Sequence, residues 1–149
     1  MAGLNHDIGK ISIPNRILNK PTKLSEEEFA LVKMHPTLGV KRLQEVGVSN
    51  PRMFGCILFH HVLKPGKGYP QVAHRPMPES KLIAIADIYD AMRSSTYYHK
   101  PVSQEKTLEH LQELFQEGCF DLPLYVAAVH TFEEFNHEFV RERYAQPVA

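Results

Sequence analysis

Six residues of two chemical kinds stand out along the 149-residue chain: the pairs His6-Asp7 and His60-His61, with His35 and Asp87 between and beyond them. A hydrolytic metal centre needs neutral imidazoles and anionic carboxylates that converge from several rigid elements and leave positions for water and substrate. These residues supply that mixture. Adjacent residues on a helix point about 100° apart, so either pair can offer two ligands only to a wide site or to one holding two metals. Two metals would favour a bridging Asp. Lys10 follows Asp7 by three positions and His6 by four, which puts its ammonium on their face, where it can neutralise a phosphate.

Other readings of the same residues stand beside this one. His60-His61 also suits a helix C-terminus, where an imidazolium meets the dipole, and the residues by themselves leave the two options open. Asp87 sits in an apolar run with Leu82, Ile83, Ile85, Ile88 and Met92, where a carboxylate is costly unless it binds metal or accepts hydrogen bonds. His74, His99, His110, His130 and His137 read as surface or hydrogen-bonded histidines and are not taken as ligands.

Helices must position these groups. Residues 2–8 give a stub ended by Gly9 and Pro14. Ser25-Glu26-Glu27-Glu28 is a capping box opening a helix through Phe29, Leu31, Val32 and Met34; Pro36 breaks or kinks it before Leu38, Val40 and Leu43 continue. Asn50-Pro51 is an N-cap followed by proline at the first helical position, for a helix through Phe54, Ile57 and Leu58 to His60-His61. Residues 63–78 carry Pro and Gly without a period and predict a long ordered loop. From Glu79 to Met92 the sequence is apolar on nearly every side, which predicts a central buried helix. Ser103 caps a helix with Leu108, Leu111, Leu114 and Phe115 inward and Gly118 at its C-cap; Asp121 and Pro123 open a last helix reaching about Arg143. No run of alternating strands is evident, so the class is all-α.

Composition narrows the function further. Lys+Arg 17 balance Asp+Glu 17, so no global basic field draws the chain to DNA or a membrane surface, and any anionic substrate must be met locally. No segment approaches the roughly 18 apolar residues of a membrane span, and the N-terminus lacks a signal-peptide pattern. Cys56 and Cys119 lie in apolar segments far apart, which predicts buried free thiols and a reducing, cytoplasmic setting.

The run His6-Asp7-Ile8-Gly9-Lys10-Ile11-Ser12-Ile13-Pro14, then Ile17-Leu18-Asn19-Lys20-Pro21 with Lys23-Leu24, then His35-Pro36 with Gly39, resembles the HD-GYP family in order and spacing. His60-His61 followed by Gly66-Lys67-Gly68-Tyr69-Pro70 is similar to its paired histidines and GYP signature, and Ala86-Asp87-Ile88-Tyr89-Asp90-Ala91 to its later Asp-containing helix. The resemblance implies an HD-domain-like helical bundle with a long GYP loop, holding two or three divalent ions, iron or manganese, and hydrolysing cyclic di-GMP to pGpG or GMP. It makes His6, Asp7, His35, His60, His61 and Asp87 metal ligands and Asp7 and Lys10 catalytic. Lys10, Gly68, Tyr69 and Lys100 become substrate contacts, with the Tyr69 ring against a guanine or against the loop itself. The implied partners are the cyclic dinucleotide and a diguanylate cyclase domain docking on the GYP loop.

Departures from the family pattern carry expectations of their own. The family has a further His, and often a Glu, on a helix before the HD pair, whereas only residues 1–5 precede His6. The expectation is a single HD-GYP-like domain over 1–149 without that helix, as a piece of a longer protein; the alternative is a centre that has lost ligands and binds metal weakly. Val62 and Pro65 stand where acidic residues are usual, and Thr96-Tyr97-Tyr98-His99 replaces a phosphate-binding Arg motif, a loss that Lys100 or Arg93 can offset. Three functions follow: an active phosphodiesterase, impaired here if truncated; a degenerate module that binds cyclic di-GMP or the cyclase; and a phosphohydrolase acting on another nucleotide or phosphoester.

Overall fold

α1, Ala2–Asn5, is one turn long, and the chain then tightens into a 3-10 turn over Ile8–Ser12. This computed structural model describes the backbone of residues 1–94 and 100–144, with side chains as far as 134. Thr96, Tyr97, Tyr98 and His99, and the side chain of His137, lie outside the described residues. Gly9 does not end the first stub as its position predicts; it lies inside the 3-10 turn. The reason is close approach, since a Cβ there would lie 1.9 Å from the His35 carbonyl oxygen and 2.5 Å from the Gly39 nitrogen. The turn carrying His6-Asp7 thereby presses directly on the element carrying His35.

Pro14 opens a short α2, Asn15–Leu18, that the hydrophobic pattern did not reveal; it buries Ile17. α3, Glu26–Val32, has the capping box read from its sequence: Ser25 Oγ accepts from the Glu28 N–H at 3.2 Å and Glu28 accepts from the Ser25 N–H at 2.8 Å. Pro36 makes a break, not a kink. It falls in the first turn of α4, His35–Glu45, where its missing N–H has no intrahelical partner to lose. α5, Pro51–Phe59, is capped by Asn50, whose side chain accepts from the Met53 N–H at 3.0 Å.

Residues 63–78 are not wholly loop. An antiparallel ribbon pairs β1, Val62–Lys64, with β2, Lys67–Gly68, around Gly66 at φ 78°. So short a pairing leaves no alternation to read, and the turn glycine produces it. Lys64 and Lys67 fasten the ribbon to Glu117: Lys64 Nζ donates to its carbonyl at 2.6 Å and Lys67 pairs with its carboxylate.

α6, Pro78–Arg93, is half-buried, which corrects the reading of a helix enclosed on every side. Ala84, Ile85 and Tyr89 join the core with Leu111, Leu114, Cys119 and Phe120, while Leu82 remains 60% exposed. Leu82, Ile85 and Ala86 line an open groove with Leu124, Ala127, Ala128 and Phe132. α7, Gln104–Gln116, starts at Ser103, whose hydroxyl accepts from the Lys106 N–H at 3.3 Å, and Gly118 at φ 77° follows its end. α8, Leu122–Tyr144, opens where Asp121 accepts from the Leu124 N–H at 3.0 Å. Cys56 and Cys119 are buried free thiols. The result is an all-α bundle with one small ribbon, and among the described residues no helix is long and apolar enough to cross a membrane.

Candidate metal centre

His6 and His60 follow directly on a helix end, and His35 opens α4 three residues past the end of α3, so each can meet one of the last carbonyls that lack intrahelical donors. His6 Nδ1 lies 2.6 Å from the Gly3 oxygen, His35 Nδ1 2.8 Å from that of Val32, and His60 Nδ1 2.7 Å from that of Ile57. A carbonyl only accepts, so each Nδ1 carries the hydrogen and each Nε2 turns inward. His35 and His60 are essentially inaccessible to solvent.

The inward atoms crowd one another. His35 Nε2 is 3.3 Å from His60 Nε2 and 3.2 Å from Asp7 Oδ1. His6 Nε2 is 3.5 Å from Asp7 Oδ2 and 3.6 Å from Asp87 Oδ1, and His61 Nδ1 is 3.9 Å from Asp87 Oδ2. Each carboxylate therefore spans two imidazoles: Asp7 joins His35 to His6, and Asp87 joins His6 to His61. Among the described residues, His6 Nε2 and Asp7 Oδ1 are buried without a hydrogen-bond partner. Lone pairs facing one another in a water-poor site repel unless a cation or proton lies between them, and buried unpaired polar atoms are rare for the same reason.

Protonation follows the geometry. Burial, reinforced by its imidazole neighbours, pushes His60 down to about 4, and burial and His60 lower His61 as well. His60 therefore meets the end of α5 as a neutral ring, not as the imidazolium that a dipole argument alone allows. The neighbouring Asp87 carboxylate raises His6 against its own desolvation. Burial raises Asp7, but His35, Lys10 and His6 outweigh it and hold the carboxyl well below the usual range. Asp87 is likewise net lowered, by His6 and His61 against its desolvation. Neutral imidazoles and ionised carboxylates are the forms that bind metal.

All six residues singled out as ligands come together. The ligand atoms of His35, His60 and His61 lie within 4.8 Å of one another, as do those of His6, Asp7 and His60. Asp87 is reached differently from its sequence reading: it is not submerged among Leu82, Ile83 and Ile88 but sits on the partly open side of α6, facing His6 and His61. Lys10 Nζ donates to Asp7 Oδ2 at 2.6 Å, at the rim of the cluster.

The signature loop reaches the centre through backbone and ring. Gly68, at φ 103°, lies against the His61 carbonyl, which a Cβ would approach to 1.9 Å. Tyr69 N–H donates to that carbonyl at 3.2 Å, and its ring stacks on His61 with centroids 4.4 Å apart. One face of Tyr69 is thus taken by the centre itself. Lys100 is exposed and, among the described residues, has no hydrogen bond or ion pair to the cluster. The Arg93 guanidinium donates through Nη1 to the Val102 carbonyl at 2.7 Å. Val62 is buried in the ribbon and Pro65 is exposed at its turn. His74, His110 and His130 pair with Phe59, Glu113 and Glu134, away from the cluster. What the sequence reading missed is the set of carbonyls at Gly3, Val32 and Ile57, each three residues before its histidine.

The chain is similar to known proteins along most of its length. The family model for the HD domain matches residues 1–124. A cyclic di-GMP phosphodiesterase of Pseudomonas aeruginosa is 35% identical over 131 residues, covering 87% of this chain and 31% of that protein. Another, from Thermotoga maritima, is 41% identical over 112 residues, 73% of this chain and 30% of the relative. A 3'3'-cGAMP-specific phosphodiesterase of Vibrio cholerae is 31% identical over 144 residues, 91% and 32% respectively. The chain spans about a third of the length of these relatives.

Proposed function

Since the chain belongs to the HD domain family and carries the HD-GYP signature, we propose that it is the catalytic module of a metal-dependent cyclic dinucleotide phosphodiesterase, with cyclic di-GMP as substrate, acting through His6, Asp7, His35, His60, His61 and Asp87. The observation that carries this reading is the convergence of carbonyl-oriented Nε2 atoms and carboxylate oxygens, two of them buried without a hydrogen-bond partner among the described residues. Two overlapping ligand groups, and two carboxylates that each span two imidazoles, support two ions or more. A mixed imidazole and carboxylate set suits iron or manganese. Bound there, the ions would polarise a phosphodiester oxygen and lower the pKa of water.

The chain's own groups do the rest. Carbonyls of Gly3, Val32 and Ile57 fix the rings, so the ligands need no reorientation on binding. Lys10 holds Asp7 ionised and offers its ammonium to phosphoryl oxygens at the rim. Tyr69 covers His61 and keeps water from that side of the ring. A diguanylate cyclase domain meeting the ribbon, and a cytoplasmic setting, belong to the same proposal; the buried thiols support the latter.

The test is elemental analysis of protein purified without chelator, with cyclic di-GMP hydrolysis measured on the same preparation. Iron or manganese should be present and pGpG or GMP should form, and His60→Ala should remove both. Metal-free protein from metal-replete cells would overturn the reading.

A further inference from the structure

α3 presents a stripe that the metal centre does not use. Glu26, Phe29 and Lys33 are spaced by three and four, so they share one face. Phe29 is 46% exposed, and Lys33 Nζ lies 5.0 Å from its ring centroid. The Phe29 ring meets Tyr69 edge-on at 6.4 Å, and Tyr69 is stacked on His61, so an aromatic path leads from the centre to a half-exposed ring with the Lys33 ammonium over one face. Glu26 differs from its neighbours. Glu27 accepts from the Ser25 hydroxyl, and Glu28 from the Ser25 N–H and Lys20, whereas Glu26 has no hydrogen bond or ion pair among the described residues. Glu26 and Phe29 line one hollow with Lys23 and Leu24, and Leu24 also lines the adjoining hollow that reaches Lys10.

The geometry points to a guanine-reading subsite, an inference that rests on the phosphodiesterase proposal. With the scissile phosphodiester beside Lys10, one base of the cyclic dinucleotide lies along this trough and stacks on Phe29. The Glu26 carboxylate accepts from the base edge. Guanine offers two adjacent donors there, N1–H and the N2 amine, which match a carboxylate's two oxygens; adenine offers an N1 lone pair, which a carboxylate repels. Stacking on an aromatic ring supplies affinity that every base shares, so Phe29 sets strength and Glu26 sets choice.

Equilibrium dialysis of the full manganese-loaded chain with GMP and with AMP tests this without turnover. Wild type should hold GMP more tightly than AMP. Phe29→Ala should weaken both by roughly tenfold or more. Glu26→Gln should weaken GMP alone and close the gap, and both variants should keep wild-type metal content. Equal wild-type affinity for the two nucleotides, or unchanged GMP affinity in Phe29→Ala, would overturn the subsite. Failure of the enzymatic proposal shows separately, as absence of cyclic di-GMP hydrolysis by the wild-type chain.

Discussion

At the residue scale, the centre is defined by where hydrogens are not. His60 is the clearest case: its Nδ1 is bound to the Ile57 carbonyl, burial keeps the ring neutral, and its Nε2 confronts that of His35. Lys10 is its counterpart at the rim, a cation held on Asp7 but 40% exposed. If Lys10 acts on the phosphoryl oxygens, Lys10→Ala should keep its metal and lose on the order of a hundredfold in kcat, the usual effect of removing one charge-stabilising donor. Unchanged kcat with full metal content would reduce it to a partner of Asp7. The ligand types were legible in the sequence because imidazole and carboxylate are the groups a hydrolytic metal needs. The carbonyls that aim them were not, because every residue has one and only the fold selects three.

At the element scale, the legible parts were those with local chemistry. Ser25 and Asn50 announce α3 and α5 through side chains that cap the next turn, and both are observed. Gly9 was misread because a glycine needed for close approach looks in sequence like one that ends a helix. α6 was misread because an apolar helix does not say how much of its surface other helices will reach. The ribbon depends on tertiary contacts, and its two glycines with positive φ make it testable. Gly66 has positive φ with open space around it, whereas Gly68 has positive φ and the His61 carbonyl where a Cβ would go. Gly66→Ala should therefore cost about 1 kcal/mol and Gly68→Ala clearly more, about 3 kcal/mol. Thermal melts should show the second falling by roughly 6 to 12 °C, on a scale of about 2–4 °C per kcal/mol for a chain of this size. Equal shifts in the two variants would mean that the ribbon does not press on His61.

At the scale of the whole molecule, the centre ties the first turn of the chain to α6. Ions binding there would join elements that otherwise meet through repelling lone pairs, so metal should stabilise the fold and protons should oppose it by competing for the same ligand atoms. The sign for His60 is fixed by its depressed value: between the unfolded 6.5 and the folded value of about 4, the unfolded chain binds a proton that the folded chain does not. Its contribution is fully present at neutral pH and is lost as pH falls through that window, on the order of 3 kcal/mol. His61 adds in the same direction, whereas His6, whose value is raised, stabilises below its unfolded value and loses that contribution as pH rises through its folded one. Metal-free protein should therefore melt at progressively lower temperature from pH 7 to pH 4.5. Manganese at a hundredfold over its Kd should add about 2.7 kcal/mol at pH 7 and progressively less as the imidazoles protonate. A melting temperature that is flat across this range, with and without manganese, would mean that His60 and His61 titrate as exposed side chains and that no cation belongs beside them.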